Sequence, residues 1–474
     1  MKTHCKSNRL ELQGSGRRTL VADFDGGTIT SDGGALLLRE VDRQREIVRR
    51  FAACFVDARD PERTEHSVED LLRQRIFALA AGYEDLNDHE LLRKDPLLAT
   101  LVGKADVTGE NRARERDQGA ALAGKSTLCR LEHALEAEAA ESRYTRIAAD
   151  SEAIESFFVD TFLESFDEAP ERLILDFDAT DNPLHGEQEG RFFHGYYGHY
   201  CYLPLYVFCG RQILWAELRP SNLDASAGSL EVLQMLVERV REQWPQAEIV
   251  LRADSGFARD ALMDWCEQNR VDFVLGLARN ARLERLLEPS FETLTAELEG
   301  GDACAGRLYA DLRYRTQKSW SRERRVIGKA EITGGGRNPR FVVTSIDPKK
   351  MGERELYEDL YCARGEMENR IKEQQLDLFS TRTSCHPMAA NQMRLWLSAV
   401  AYTLFEELRR LALEGTELAR ARCETIRSKL LKIGARVRVS VRKVWVSLSS
   451  AYPHQKLFRQ ALARLQGHSP PVSV

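Results

Sequence analysis

The run Leu173-Ile174-Leu175-Asp176-Phe177-Asp178 is apolar at successive positions, so as a strand it buries both faces, and it closes on two acids. A strand of that kind belongs inside a sheet, with its charged end at the sheet's edge. The segments that follow keep a definite order. Tyr202–Phe208 and Ile213–Leu218 read as two more strands, and the glycine-rich turns between them predict an antiparallel meander. Leu230, Leu233, Leu236, Val237 and Val240 then share one face of an amphipathic helix. A fourth strand, Glu248–Leu251, runs into Arg252-Ala253-Asp254-Ser255-Gly256-Phe257. A helix with Leu262 and Trp265 and a strand at Phe273–Leu277 complete the series.

Three strands, helix, strand, helix, strand is the order of an RNase H-like domain. The expected fold class is therefore α/β: an RNase H-like catalytic core with an inserted β region, flanked by helical N-terminal and C-terminal regions. Three- and four-residue apolar steps over 34–100, with Ser67 as an N-cap and Gly82 as a stop, predict a helical N-terminal domain over 1–150. Its first 19 residues are polar and basic and read as a mobile arm. The core is expected over 170–289, a β-rich basic insertion over 290–346, and the end of the core, with a long helix, over 347–412. Residues 413–474 read as a basic helical tail with a strand-like run at Val437–Val446.

Composition narrows the class further. With 43% hydrophobic and 30% charged residues the chain can bury two or three cores, which excludes disorder as its main theme. No apolar window approaches membrane-spanning length, so a soluble cytoplasmic protein, nucleoid-associated if it binds DNA, is expected. Ten cysteines without a C-x-x-C pair suggest neither a zinc knuckle nor a disulfide framework. Net charge is −5, yet residues 364–474 carry 19 Lys/Arg against 9 Asp/Glu. Within 313–340, nine basic residues face only Glu323 and Glu331. Local basic surfaces on an acidic body suit phosphate-backbone binding, although any one run also reads as a solvated face.

Asp178, Asp254 and Glu368 stand at element ends that this order brings together. Carboxylates at one sheet edge can hold two hard cations that clamp the attacking and leaving oxygens of a phosphoryl displacement. Tyr361, Arg364, Glu368, Lys372 and Gln375 follow a 3-4-4-3 spacing that forms one helical stripe. Taken alone, the stripe also reads as a surface helix stapled by Arg364–Glu368 and Glu368–Lys372 pairs.

These residues resemble the DDE transposases of bacterial insertion sequences, in the branch whose third motif is Tyr-x-x-Arg-x-x-x-Glu, here Tyr361 to Glu368. Asp178-Ala179-Thr180 is similar to that family's first Asp-x-Thr, and Asp254-Ser255-Gly256-Phe257 to its second acidic motif. Gly195-Tyr196-Tyr197-Gly198, Leu203-Pro204-Leu205 and Leu218-Arg219-Pro220 extend the likeness over about 172–410. Phe24–Leu38 with Tyr361–Lys372 is similar to the "IS-thirteen-eighty" group. Strand alternation cannot separate Asp176 from Asp178; the Asp-x-Thr likeness selects Asp178, with Asp181 a weaker rival. The branch usually carries Lys where this chain has Gln375.

The resemblance implies cut-and-paste transposition by phosphodiester hydrolysis and strand transfer, with Asp178, Asp254 and Glu368 as metal ligands and catalytic residues. It implies two Mg2+ ions, replaceable by Mn2+, and as partners double-stranded DNA at terminal inverted repeats and target, bound by a homodimer, with no membrane. Arg364, Lys372 and Tyr361, with Trp320, Arg322, Arg324 and Arg325 of the insertion, are the expected DNA or phosphate contacts. Trp320 reads equally as a base-stacking side chain and as a hydrophobic anchor. The competing function is a catalytically inactive DNA-binding derivative. A third, a P-loop ATPase, rests on Gly119–Ser126, which matches a phosphate-binding loop letter for letter but follows no buried strand. His185, His194 and His199 fit no zinc spacing and read as turn and surface residues.

Overall fold

The computed structural model describes residues 10–136, 146–300 and 305–467. They belong to two compact units, one drawn from Met1–Ala52, Arg59–Leu131 and Glu407–Val474, the other from Ala53–Ala58 and Glu132–Glu406.

The second unit is built on a nine-stranded mixed sheet. Its elements are β1 (Arg172–Ala179), β2 (Leu205–Cys209), β3 (Gln212–Glu217), α1 (Ser229–Gln243), β4 (Glu248–Ala253), α2 (Asp260–Gln268), β5 (Asp272–Leu277), α3 (Ala281–Glu299), β6 (Gly306–Tyr314), β7 (Arg324–Thr333) and β8 (Arg340–Thr344). The strand order is β3-β2-β1-β4-β5-β8-β7-β6, with Gly336–Arg337 paired to β7. β1 runs antiparallel to β2 and parallel to β4, which is parallel to β5. Leu173, Leu175 and Phe177 of β1 are buried in one cluster with Val232, Leu233, Leu236, Val237 and Val240 of α1 and Leu262 of α2.

Two sequence expectations change. The strand foreseen over 202–208 is split, because Pro204 has no N–H for the ladder. Its first residue, Tyr202, ends the strand His199–Tyr202, which joins a separate three-stranded sheet with Asn182–Pro183 and Phe192–His194. The region foreseen as an insertion from 290 is helical up to Glu299, in α3, and its strands extend the central sheet through β8, antiparallel to β5. The exposed edge of β5 is thereby covered, with Leu283, Leu287 and Phe291 of α3 buried in the same core.

After β8 the chain enters a continuous helical run whose winding changes repeatedly. It is wide over Leu356–Tyr361, tight over Cys362–Arg364, regular in α4 (Gly365–Lys372) and wide again over Glu373–Asp377. Such interruptions are frequent at functional sites.

In the first unit, Val68–Ala81 forms a helix with a Ser67–Asp70 capping box, and Gly82 stops it at φ 95°. The mobile arm foreseen over 1–19 is corrected where it is described: Leu10–Ser15 and Arg18–Ala22 form a hairpin, while residues 1–9 lie outside the described residues. The basic tail is corrected too. Ala435–Ser440 pairs with Lys443–Leu448 and with Ile29–Thr30, so the segment joins the N-terminal one in this unit. Two glycines allow the approach: Gly33 N–H donates to the Ile433 carbonyl at 2.9 Å, and a Cβ on Gly34 would lie 1.7 Å from the Leu430 carbonyl oxygen. Ile147–Ala149, foreseen in the N-terminal domain, pairs with Phe55–Asp57 in the second unit.

Candidate active site

Asp176 and Asp178 lie on the same face of β1, and their surroundings differ. Position 176 is in register with Arg252 of β4, whose guanidinium grips the Asp176 carboxylate at 2.5 and 2.7 Å. Both residues are buried, and Arg252 also donates to the Leu360 carbonyl at 2.6 Å. Asp176 thus ties two strands to the helical run and is spent on that task.

Asp178 lies two residues on, past the last β1–β4 pair, Phe177–Ala253. One of its oxygens accepts from the Ala179 N–H at 2.9 Å; the other lies 3.3 Å from Arg364 Nη1. The second Arg364 nitrogen donates to Glu368 at 2.7 Å, so one guanidinium bridges two carboxylates that are far apart in the chain. Burial pushes the Asp178 carboxyl up to about 7; Arg364 opposes this, and the charges of Asp254 and Glu368 add to it. Asp254 directly follows β4 and caps the turn after it, accepting from Gly256 N–H at 2.8 Å. Tyr361 completes the group: burial raises its pKa, and the charge of Arg364 opposes the shift. A Cβ on Gly276 of β5 would stand 2.6 Å from the Tyr361 hydroxyl and 2.9 Å from Ser255 N, so only glycine admits this approach. Among the described residues no three acidic, imidazole or thiol groups close around one point; Arg364 stands between the carboxylates instead.

The helical stripe is only partly realised. Arg364–Glu368 is formed, while Lys372 is exposed and makes no ion pair among the described residues. The changes of winding rotate the later positions out of line. Gln375 points to the loop after β1, donating to the Asp181 carbonyl at 3.0 Å and to Asn182 at 3.2 Å. Asp181 itself pairs with His199 at 2.8 Å.

Over residues 12–470 the sequence matches the family described as "Transposase DDE domain group 1". The chain belongs to the DDE transposase family. The chain also aligns, at 11% identity and a TM-score of 0.38, with a piggyBac transposase in a synaptic complex with hairpin DNA, over 85% of this chain and 80% of that one. No curated protein sequence matches it. Among the described residues no helix is long and apolar enough to cross a membrane.

The DNA contacts foreseen in the insertion of this DDE chain need correction. Trp320 is buried, packs edge-on against Tyr314 at 5.6 Å and lies in the main core, which leaves no face for a base. Arg324 is buried between Asp260 and Glu267 at 2.6 and 2.9 Å. Arg325 is buried on Asp311 and the Ile346 carbonyl. Arg322, half exposed, already pairs with Asp264 and Glu267. These cations hold β7 to its neighbours, because buried guanidinium groups require carboxylate partners.

Two features escaped the sequence reading. Arg279 and Arg340 are exposed, make no ion pair among the described residues, and border a cleft of about 480 Å3 with Ser255 and Tyr361. Arg340 entered only as one of the nine basic residues of 313–340, and Arg279 gave no local signal. The hairpin Phe192–Tyr202 exposes Phe193 and Tyr196, while its Tyr197 feels the charges of Asp181 and Asp178. In Gly119–Ser126, residues Ala120–Ala123 are buried and Gln74 bonds both backbone groups of Ala123. The Lys125 ammonium donates to Asn87 at 3.0 Å, so the segment is a packed loop that leads into the Lys125–Glu132 helix.

Proposed function

We propose that this chain is a cut-and-paste transposase of a bacterial insertion sequence, acting as a homodimer on double-stranded terminal repeats and target DNA. The observation that carries the reading is the guanidinium of Arg364, which bonds Asp178 and Glu368 from separate stretches of the chain and also feels the charge of Asp254. The order β3-β2-β1-β4-β5 supports an RNase H-like core, with Asp178 and Asp254 at the ends of adjacent strands.

The donor set suits a hard divalent cation. Burial lifts the Asp178 carboxyl to about 7 against the pull of Arg364, and the neighbouring charges of Asp254 and Glu368 add to the shift. Asp178, Asp254 and Glu368 would hold two Mg2+ ions, with Mn2+ as a substitute. Bound there, the ions would supply an activated water or 3′-hydroxyl and offset charge on the leaving oxygen. Arg364 then exchanges its two carboxylates for a phosphate, for which its planar fork is suited. Tyr361 orients that guanidinium, and Gln375 fixes the loop after β1 in place of the Lys usual in the related branch. Arg279, Arg340 and the exposed Lys372 supply further phosphate contacts.

The test is incubation of the chain with DNA carrying the element's flanking ends and Mg2+, with strand nicking as readout. Wild type nicks; Asp178→Ala, Asp254→Ala and Glu368→Ala bind the ends without nicking. Wild-type cleavage by any one of them removes that residue from the triad.

A further inference from the structure

Beyond Glu424 the sequence contains no acid up to its last residue, and residues 425–474 hold ten Lys and Arg. The structure sorts these cations. Arg427 is buried and donates to the carbonyls of Ala80 and Leu79 at 2.8 and 3.4 Å, closing the end of the Val68–Ala81 helix. Lys432 pairs with Asp32 at 2.6 Å and lies over Tyr83. Arg464 donates to the carbonyls of Ala412 and Glu414. All three serve the unit's own packing.

The hairpin Ala435–Ser440/Lys443–Leu448 differs. Its cross-strand pairs Val437–Val446 and Val439–Val444 put the valines on one face, buried at the base. Alternation therefore puts Arg436, Arg438 and Ser440 on the other face, opposite Ser447, Trp445 and Lys443. Arg436, Arg438, Lys443 and, in the turn, Arg442 are exposed and have no carboxylate partner among the described residues. The Lys443 ammonium stands 5.2 Å from the ring centre of Trp445, itself half exposed. The base of the hairpin is pinned to Ile29–Thr30, and Val441 at its tip is fully exposed.

Like charges concentrated on one ribbon repel, and a polyanion relieves that repulsion. Strands of six residues are about 20 Å long, and a two-stranded ribbon fits the roughly 12 Å major groove but not the roughly 6 Å minor groove. We propose that the hairpin Ala435–Leu448 is a duplex-DNA-binding ribbon that enters the major groove with its Arg436, Arg438, Lys443 and Trp445 face. The inference rests on the reading of the chain as a DNA transposase, and it assigns this surface to sequence-independent grip. The cations take phosphates, and the indole packs on sugar and base edges.

The experiment titrates the full chain against a fluorescein-labelled 20-base-pair duplex of arbitrary sequence, in EDTA, over a KCl series. The combined Arg436→Gln, Arg438→Gln, Lys443→Gln variant should weaken binding and reduce the slope of log affinity against log salt by about 2.7, at 0.9 per phosphate contact. Lys443→Gln alone should reduce it by about 0.9, which keeps the test decisive if the triple variant unfolds early. Trp445→Ala should lower affinity and leave the slope unchanged. Blocking the minor groove with netropsin should leave wild-type affinity unchanged; a loss overturns the groove assignment. An unaltered slope in a variant with the wild-type thermal transition overturns the proposal. So does a change in the sedimentation of the free protein, which would give this face to a second copy. Wild type that binds duplex with the full slope but never nicks its flanking DNA with Mg2+ refutes the catalytic reading alone. Nicking with a wild-type slope in the triple variant refutes the ribbon alone.

Discussion

Two aspartates of one strand, replaced one at a time by asparagine, should give opposite results. Asp176→Asn leaves the Arg252 guanidinium, buried at 6% exposure, without its counter-charge. Breaking one side of a buried pair costs about 3–5 kcal/mol, which lowers the melting temperature by roughly 5–9 °C in a unit of this size. Replacing both partners, as Asp176→Leu with Arg252→Met, should restore much of that loss. Asp178→Asn removes a carboxyl whose pKa is raised from 3.8 to about 7 in the folded state. The raised value means that folding takes up a proton between those limits, so the ionised group opposes folding at higher pH. Its penalty is absent below 3.8, grows through the window and is complete above about 7; at pH 8 it is on the order of 4 kcal/mol at most. Thermal unfolding in EDTA should therefore show Asp178→Asn at least as stable as wild type at pH 8, with the gain gone at pH 4. The same variant should not nick DNA with Mg2+, while Asp176→Asn loses activity only in step with folded protein. A stable, inactive Asp176→Asn beside an active Asp178→Asn would reverse the two roles and refute the reasoning.

Arg364→Gln removes a largely buried guanidinium that holds both Asp178 and Glu368. Single-turnover nicking should fall about a hundredfold or more, from a loss of roughly 2–4 kcal/mol in the transition state, and a stable variant within about threefold of wild type, ~0.65 kcal/mol, would leave the arginine a mere staple. Gly276→Ala forces a methyl against the Tyr361 hydroxyl, and nicking should drop at least about tenfold, ~1.4 kcal/mol, measured beside circular dichroism to separate folding from activity. Trp320→Ala should cost about 3–5 kcal/mol of stability without altering the duplex affinity of the folded fraction; a selective loss of affinity would return the indole to the DNA. Glu155, half buried beside Glu217, has its carboxyl raised from 4.5 to about 7 by burial and then by that neighbour. Its ionisation also opposes folding as pH rises, so Glu155→Gln should raise the melting temperature at pH 8 and not at pH 4, and a lower value at pH 8 would contradict this sign.

The central sheet was legible because buried strands announce themselves as short apolar runs and the helices between them as apolar stripes, as over Leu230–Val240. Ser67 and Gly82 were equally plain, since capping is local chemistry. What stayed hidden depends on pairings between distant residues. Nothing near Arg340–Phe341 reveals that this strand will pair with β5, some sixty positions earlier, and turn an apparent insertion into the rest of the sheet. The cations around Trp320 looked free because their acids, Asp260, Asp264 and Glu267, lie on α2. The return of the C-terminal segment depends on the space left by Gly33 and Gly34, which is apparent only when the two segments meet. At the candidate site the i, i+4 spacing pointed correctly to Arg364–Glu368. It could not foresee the tight turn at Cys362–Arg364 or the wide one after Lys372, which redirect the stripe.

The separation of Asp176 from Asp178 shows what the sheet adds to residue type. Both side chains emerge on one face, and both belong to acids of the same chemistry. Arg252 lies beside Asp176 because β4 is parallel to β1 in that register, and the two strands stop pairing after Ala253 and Phe177. One step later β4 has left the sheet and contributes Asp254, an acid, two positions after the cation Arg252. Among the described residues Asp178 is therefore paired with a cation of the helical run, Arg364, rather than with one of the neighbouring strand. Were the ladder one residue longer, with a basic residue at 254, Asp178 would be locked in an ion pair as Asp176 is. The end of the ladder is what spares this carboxylate a cation from the neighbouring strand.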